Sequence, residues 1–246
     1  MSLATLSRIL MIGGLLLLAV SWWQRYALPA PAALKPQLVR EPVQVPTAVT
    51  PFKTTVGGVT YTVKPMYEYE LWGLVVSQHD TSTWWNWIHE ASHDHLNVMD
   101  LCVVFGDNVK TGAYAGLDYS SGQFVCYVQA SSTAKWQAFS MSALSNNHLL
   151  SDRLSVTSRL RGVRVGDQVR VRGYLAEYSH QHGFAFTRGT SITRTDTGNG
   201  ACETLYVEEL EILARGGGPW RLLYPVAWVM LAAGVAVWLA APIRLR

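Results

Sequence analysis

Residues 222–243 carry no charged side chain. A helix needs about 20 apolar residues to cross the hydrocarbon core of a bilayer, so this stretch spans it unaided. Trp228 and Trp238 lie within it, and Pro225 sits near its entrance, where a kink is tolerated. Residues 9–23 form a second apolar segment, preceded by Arg8 and followed by Gln24 and Arg25. Alone it is short for a span, unless residues 3–6 join it and Arg8 snorkels to the interface. Trp22, Trp23 and Tyr26 then suit the aromatic belt at the opposite face. A cleaved signal peptide with Ala30-Pro31-Ala32 as its site is the rival, but proline beside the scissile bond suits it poorly. The expectation is an uncleaved signal-anchor over residues 1–26 and a transmembrane helix with a basic cytoplasmic end over residues 222–246.

Only 15% of the residues are charged, against about 25% in soluble proteins, and the apolar ends account for most of the deficit. The net charge of +3 is scattered, without a basic run of the kind that forms a nucleic-acid tail. Orientation from charge is divided: Arg244 and Arg246 oppose Arg215 and Arg221, and Arg8 opposes Arg25. Cysteine usage breaks the tie. Cys102 and Cys126 lie in separate apolar runs, Cys202 lies in a Gly-rich turn, and no Cys-x-x-Cys pair occurs. Three disulfide pairings are open, as is a set of three buried thiols. An oxidising compartment permits pairing, so the expectation is an inner-membrane protein with both ends cytoplasmic and its central domain extracytoplasmic.

Residues 27–58 hold Pro29, Pro31, Pro36, Pro42, Pro46 and Pro51 with few large hydrophobes. They read as an extended, semi-rigid stalk. Gly216-Gly217-Gly218-Pro219 marks a hinge over residues 215–221. Between them, residues 59–214 are strand-like. Residues 69–77, 101–105, 124–129, 169–178 and 204–213 are β-branched or aromatic runs, most of them bounded by turn-forming residues. In Val169-Arg170-Val171-Arg172 the alternation gives an apolar and a solvated face. Helices are expected over residues 83–95 and 147–160.

The order Gly-Leu-Val-Val-Ser (residues 73–77), Val-Gly-Asp-Gln-Val-Arg-Val-Arg-Gly-Tyr-Leu (165–175) and Tyr-Val-Glu-Glu-Leu-Glu-Ile-Leu (206–213) resembles the first, fourth and fifth strands of an OB-fold barrel. The resemblance spans residues 67–213, with about thirty residues carrying its specific part. It implies a mainly β protein: a small OB-like antiparallel barrel with an inserted helical segment, flanked by two transmembrane helices.

His89-Glu90-Ala91-Ser92-His93 has the His-Glu-x-x-His form of zinc metallopeptidases. On a helix, His89 and His93 would share a face toward zinc while Glu90 activates the bound water. His95, and His180 and His182 on a strand-like segment, are further ligand candidates; solvated turn residues are the plainer reading of the last two. No diagnostic third ligand follows the motif. Trp84, Trp85 and Trp87 either fill one end of the core, stack on a sugar, or contact a partner or the bilayer. Arg159, Arg161, Arg164, Arg170 and Arg172 read as a solvated strand face more simply than as a nucleic-acid groove. An extracytoplasmic location disfavours nucleic acid further. Asp196-Thr197-Gly198 echoes an aspartic peptidase, but no second such triplet occurs, and Gly and Asn beside it suit a turn.

Together these features predict a membrane-anchored, extracytoplasmic, non-catalytic binding or assembly module of a bacterial-type envelope complex, without a cofactor. Its partners are the lipid bilayer and other envelope proteins, and any small-molecule ligand is unidentified. The alternative is a membrane-bound zinc hydrolase using Glu90 with His89 and His93.

Overall fold

The computed structural model describes residues 1–193, 196 and 202–241. In chain order, helix α1 (Leu3–Gln24) precedes two short 3-10 turns, Pro31–Ala33 and Pro36–Val39, and strands β1 (Val43–Pro46) and β2 (Phe52–Val56). Strand β3 (Val59–Asp80) leads into α2 (Trp87–Ala91), β4 (Asn97–Val104), α3 (Gly106–Thr111), β5 (Leu117–Gly122) and β6 (Val125–Ala130). After α4 (Thr133–Ala138) come β7 (Leu144–Leu150), α5 (Leu154–Arg161), β8 (Gln168–His180), β9 (Phe186–Arg188), β10 (Glu203–Ala214) and α6 (Trp220–Ala240). The fold is mixed helix and sheet around one large β-sheet. The chain divides into two units, Met1–Leu28 with Gly216–Arg246, and Pro29–Arg215.

In the first unit, α1 and α6 are each long and apolar enough to cross a membrane. Residues 3–6 do extend the first apolar segment, which gives α1 its 22 residues. The two helices meet through small residues, as expected where lipid offers no hydrophobic drive between helices. Ser7 Oγ donates to the Gly234 carbonyl at 2.9 Å, and a Cβ on Gly234 would lie 2.8 Å from Met11 Cγ. The Arg25 guanidinium sits 4.0 Å from the Trp22 ring and 4.1 Å from that of Tyr224. Arg244 and Arg246 lie outside the described residues.

In the second unit, β3 pairs with β4, β4 with β7, β7 with β10, β10 with β8, and β8 returns to β3. Five strands thus form a closed circuit of pairings, antiparallel except for β7 and β10, which are parallel. Strand β3 serves two neighbours in succession, β8 through Leu74 and β4 from Leu74 onward. Gly73 stands at the changeover, where a Cβ would collide with Val103 and lie 2.8 Å from the Val104 carbonyl oxygen. Inward residues such as Leu71, Leu101, Leu149, Val171, Leu175 and Leu205 form the core, joined by Val156 and Leu160 of α5. A second cluster gathers Val59, Tyr61, Val63, Leu150 and Tyr178. On the outer face, Arg170 pairs with Glu70 and lies 3.6 Å and 3.8 Å from Glu209 and Glu211, while Arg172 lies 3.4 Å from Glu209. Glutamates therefore match the charge of this arginine row.

Three segments differ from expectation. The proline-rich stretch includes β1 and β2, both hydrogen-bonded to β3, and Leu38 within it is fully buried. Proline excludes a helix interior but is compatible with edge strands, and Pro46 sits at the end of one. Of residues 83–95, only Trp87–Ala91 is α-helical. Residues 147–160 hold the end of β7 and most of α5, with Ser151, Asp152 and Arg153 between them.

Candidate functional site

Strands β4, β7 and β10 are consecutive in the circuit, and their register concentrates polar residues on one face. Asp100 lies opposite His148, Cys102 opposite Asn146, and Thr204 opposite His148. Cys202, just before β10, lies on the same side, with its Sγ 3.4 Å from Asn146 Nδ2. Asp100 and His148 are both fully buried. A buried charge persists only when it is hydrogen-bonded or paired, and Asp100 has three donors. His148 Nδ1 donates to Oδ1 at 2.7 Å, Asn97 Nδ2 to Oδ1 at 2.9 Å, and the Phe124 N–H to Oδ2 at 3.0 Å.

From Asn97 the network continues away from Asp100. Asn97 Nδ2 also donates to His89 Nε2 at 3.0 Å, so His89 carries its proton on Nδ1 and donates it to Asn86 Oδ1 at 2.6 Å. His79 Nε2 donates to the same oxygen at 3.1 Å. Burial pushes His89 down to about 4 despite the attraction of Asp100, in keeping with its neutral tautomer.

Phe124 comes from the β5–β6 hairpin, which Cys102–Cys126 ties to β4 with a Cα–Cα distance of 5.9 Å. The disulfide selects one of the three pairings left open by the sequence and leaves Cys202 as a free thiol. Phe124 has φ +65°, a region costly for a side-chain-bearing residue. Its N–H on Asp100 and its ring contacts offset that cost. The ring lies 3.9 Å from that of His89, and the Arg188 guanidinium stacks on it at 3.8 Å.

The reactive groups meet at His148. Its Nε2 lies 2.8 Å from Arg188 Nη2, and the imidazole is near enough to the Cys202 thiol to lower the thiol's proton affinity, while Sγ itself lies 3.9 Å from the Phe124 carbonyl oxygen. Asn146 Nδ2 donates to Cys202 Sγ at 3.4 Å. Burial would raise the thiol, but the nearby His148 imidazole, its charge and the Asn146 bond outweigh it and hold it low. Burial likewise opposes charging of His148, yet Asp100 carries it up to about 9. Burial also opposes charging of Asp100, which His148 and Asn97 hold down to about 2. An imidazolium has no lone pair for Arg188, so the 2.8 Å bond is one the neutral ring makes, while Asp100 favours the charged ring once Nε2 is released. Charging the ring requires the guanidinium to leave Nε2.

The zinc geometry of the alternative reading is not formed among the described residues. Helix α2 ends in a Schellman motif: the His93 N–H donates to the Glu90 carbonyl at 3.1 Å and the Asp94 N–H to that of His89 at 2.8 Å. His93, with φ +52°, occupies the left-handed position just past the helix. It lies instead beside His182, His180 and His95, with ring centroids 5.0, 6.4 and 6.3 Å away. His180 Nε2 donates to the Ser92 carbonyl at 2.9 Å, and its Nδ1 accepts from the His182 N–H at 3.1 Å. Among the described residues, no group of three or more His, Cys, Asp or Glu is placed to hold a metal ion. Glu90 and the two imidazoles therefore do not converge on one point.

Trp84, Trp85 and Trp87 are 90%, 54% and 68% exposed, so they face solvent and not the core. Asp196 accepts from Ser191 Oγ at 2.8 Å, and the rest of the Asp-Thr-Gly triplet lies outside the described residues. Sequence reasoning missed Asp100, His148, Arg188, Asn97 and Phe124. The usable signal was polarity inside apolar runs, as in Met99-Asp100-Leu101 and Asn147-His148-Leu149. No family model matches the chain, and comparison with curated proteins and with solved structures found no match.

Proposed function

We propose that this chain is a membrane-anchored protein whose extracytoplasmic, OB-like barrel carries a nucleophilic thiol, Cys202, served by His148 and Asp100. The barrel reading draws support from the circuit β3-β4-β7-β10-β8-β3, its single parallel pair, and α5 between β7 and β8. The extracytoplasmic side draws support from the Cys102–Cys126 disulfide. One observation carries the chemistry: a free thiol just before β10 lies beside an imidazole on β7 that is bonded to a buried carboxylate on β4. That is the arrangement by which a base activates a nucleophile and a third group orients the base.

The reaction class that fits is acyl transfer. Nδ1 of His148 is committed to Asp100, so Nε2 receives the thiol proton as sulfur attacks a carbonyl carbon. His148 then gives that proton to the leaving group as its bond to carbon breaks, leaving a thioester. Water, deprotonated by His148, hydrolyses the thioester and returns the proton to sulfur. Asn146, already bonded to the sulfur, holds the nucleophile in place.

With Cys102 and Cys126 paired, Cys202 is the free cysteine for alkylation. In detergent-solubilised full-length protein, iodoacetamide should modify Cys202 with a midpoint below the ~8.5 of a free thiol. His148→Asn should slow the reaction at pH 7 by about tenfold or more and move the midpoint up. Asp100→Asn should shift it in the same direction. Unchanged rates in folded variants would rule the thiol reading out.

The exposed indoles favour a second reading, the assembly module expected from the sequence. Trp84 and Trp85 stack edge-to-face at 5.4 Å in open solvent. Aromatic clusters of this kind anchor protein contacts. Trp84→Ser with Trp87→Ser should abolish chemical cross-linking to neighbouring membrane proteins in intact membranes while leaving Cys202 reactivity intact. Cross-linking that persists in the double variant would remove this reading.

A further inference from the structure

The thiol centre described above leaves one cation unexplained. Arg188, at the end of β9, is half-buried and bonded to a neutral acceptor, His148 Nε2. Among the described residues, no carboxylate lies within ion-pair distance of it. Its guanidinium is held flat by the Phe124 ring at 3.8 Å, which fixes the plane of a fork that can bind a carboxylate through two parallel hydrogen bonds. The fork occupies the very nitrogen that Cys202 needs for proton transfer.

We infer that the substrate of the Cys202 centre bears a carboxylate, and that Arg188 is the specificity-determining residue that binds it, vacating His148 Nε2 for the thiol as it does so. The inference rests on the thiol reading of the site. An acyl donor lacking the negative charge does not draw Arg188 from the imidazole, so the base is free in a smaller fraction of encounters. A carboxylate draws the guanidinium off and frees the base in the same motion. Charge complementarity and base release thus fall to a single side chain. The Phe124 ring lets the guanidinium slide without losing its apolar platform.

The test uses two alkylating probes of nearly equal size, neutral iodoacetamide and anionic iodoacetate, on solubilised full-length protein at pH 7. In each case sulfur displaces iodide: a carbon–sulfur bond forms, the carbon–iodine bond breaks, and the thiol proton passes to His148. Arg188→Ala should lower the rate with iodoacetate, relative to iodoacetamide, by about tenfold, the worth of one charge-assisted hydrogen bond. Arg188→Lys keeps the charge without the fork and should fall between. An iodoacetate-to-iodoacetamide ratio unchanged across wild type, Arg188→Ala and Arg188→Lys would overturn the carboxylate inference. A rate with both probes that ignores His148→Asn would overturn the thiol reading on which it rests. The two failures are therefore separable.

Discussion

His89 and Asp94 sit five residues apart, and burial moves their proton affinities in opposite directions, His89 down to about 4 and Asp94 up to about 6. The unfolded chain protonates histidine near 6.5, so His89 withdraws stability as pH falls from 6.5 toward 4. Asp94 stays protonated in the fold after the unfolded chain has ionised, so it withdraws stability as pH rises from about 4 to 6. Each effect reaches roughly 3 kcal/mol at about 1.4 kcal/mol per pH unit of displacement. Opposed over one window, these two contributions largely cancel between pH 4 and 6. His89→Gln should expose the Asp94 slope, with stability falling as pH rises, and Asp94→Asn should expose the reverse. Urea unfolding at half-unit pH steps reads both. Asp100 behaves differently, since its carboxylate satisfies His148, Asn97 and the Phe124 N–H together. Asp100→Ala should cost about 3–5 kcal/mol, the penalty for leaving one partner of a buried pair alone.

Strand β3 depends on Gly73 to hand over from β8 to β4. Gly73→Ala should lower stability by at least about 1–3 kcal/mol through overpacking against Val103. Gly189→Ala, with nothing near its Cβ position, is the matched control; equal losses in the two would refute the crowding at Gly73. Although the first ten residues of this element were not legible beforehand, residues 69–77 were, because that β-branched and aromatic run needs no tertiary context to read as a strand. The same holds for β8 and β10. Strand β7 was not legible: Ser145, Asn146, Asn147 and His148 break any apolar pattern, since they are buried by hydrogen bonds and not by hydrophobicity. The His-Glu-x-x-His string misled for the converse reason. It has helical spacing, but Ser92 bonds back to the Ile88 carbonyl at 2.8 Å and His93 turns left-handed, so the second histidine never reaches the helical face. The candidate centre was invisible because it joins β4, β7 and β10 across about a hundred residues. Only strand register brings Asp100, His148 and Cys202 together.

For the whole molecule, α1 and α6 imply that the chain stays with the membrane fraction through high salt and alkaline carbonate and is released by detergent alone. Release by carbonate would contradict two membrane-spanning helices. Gly234→Leu should separate the helices, since even a Cβ there crowds Met11, and should abolish disulfide cross-linking between cysteines placed at Gly14 and Leu231, which face each other. The Cys102–Cys126 bond has a different kind of consequence. It fastens the hairpin two residues past Phe124, and Phe124 supplies one of the three donors that complete Asp100. Before that bond forms, the hairpin is held to β4 and its neighbours by non-covalent contacts alone. The order of events therefore matters: while Cys102 and Cys126 are reduced, Asp100 relies on non-covalent contacts of the hairpin for its third donor, and oxidation of the pair fastens that donor in place.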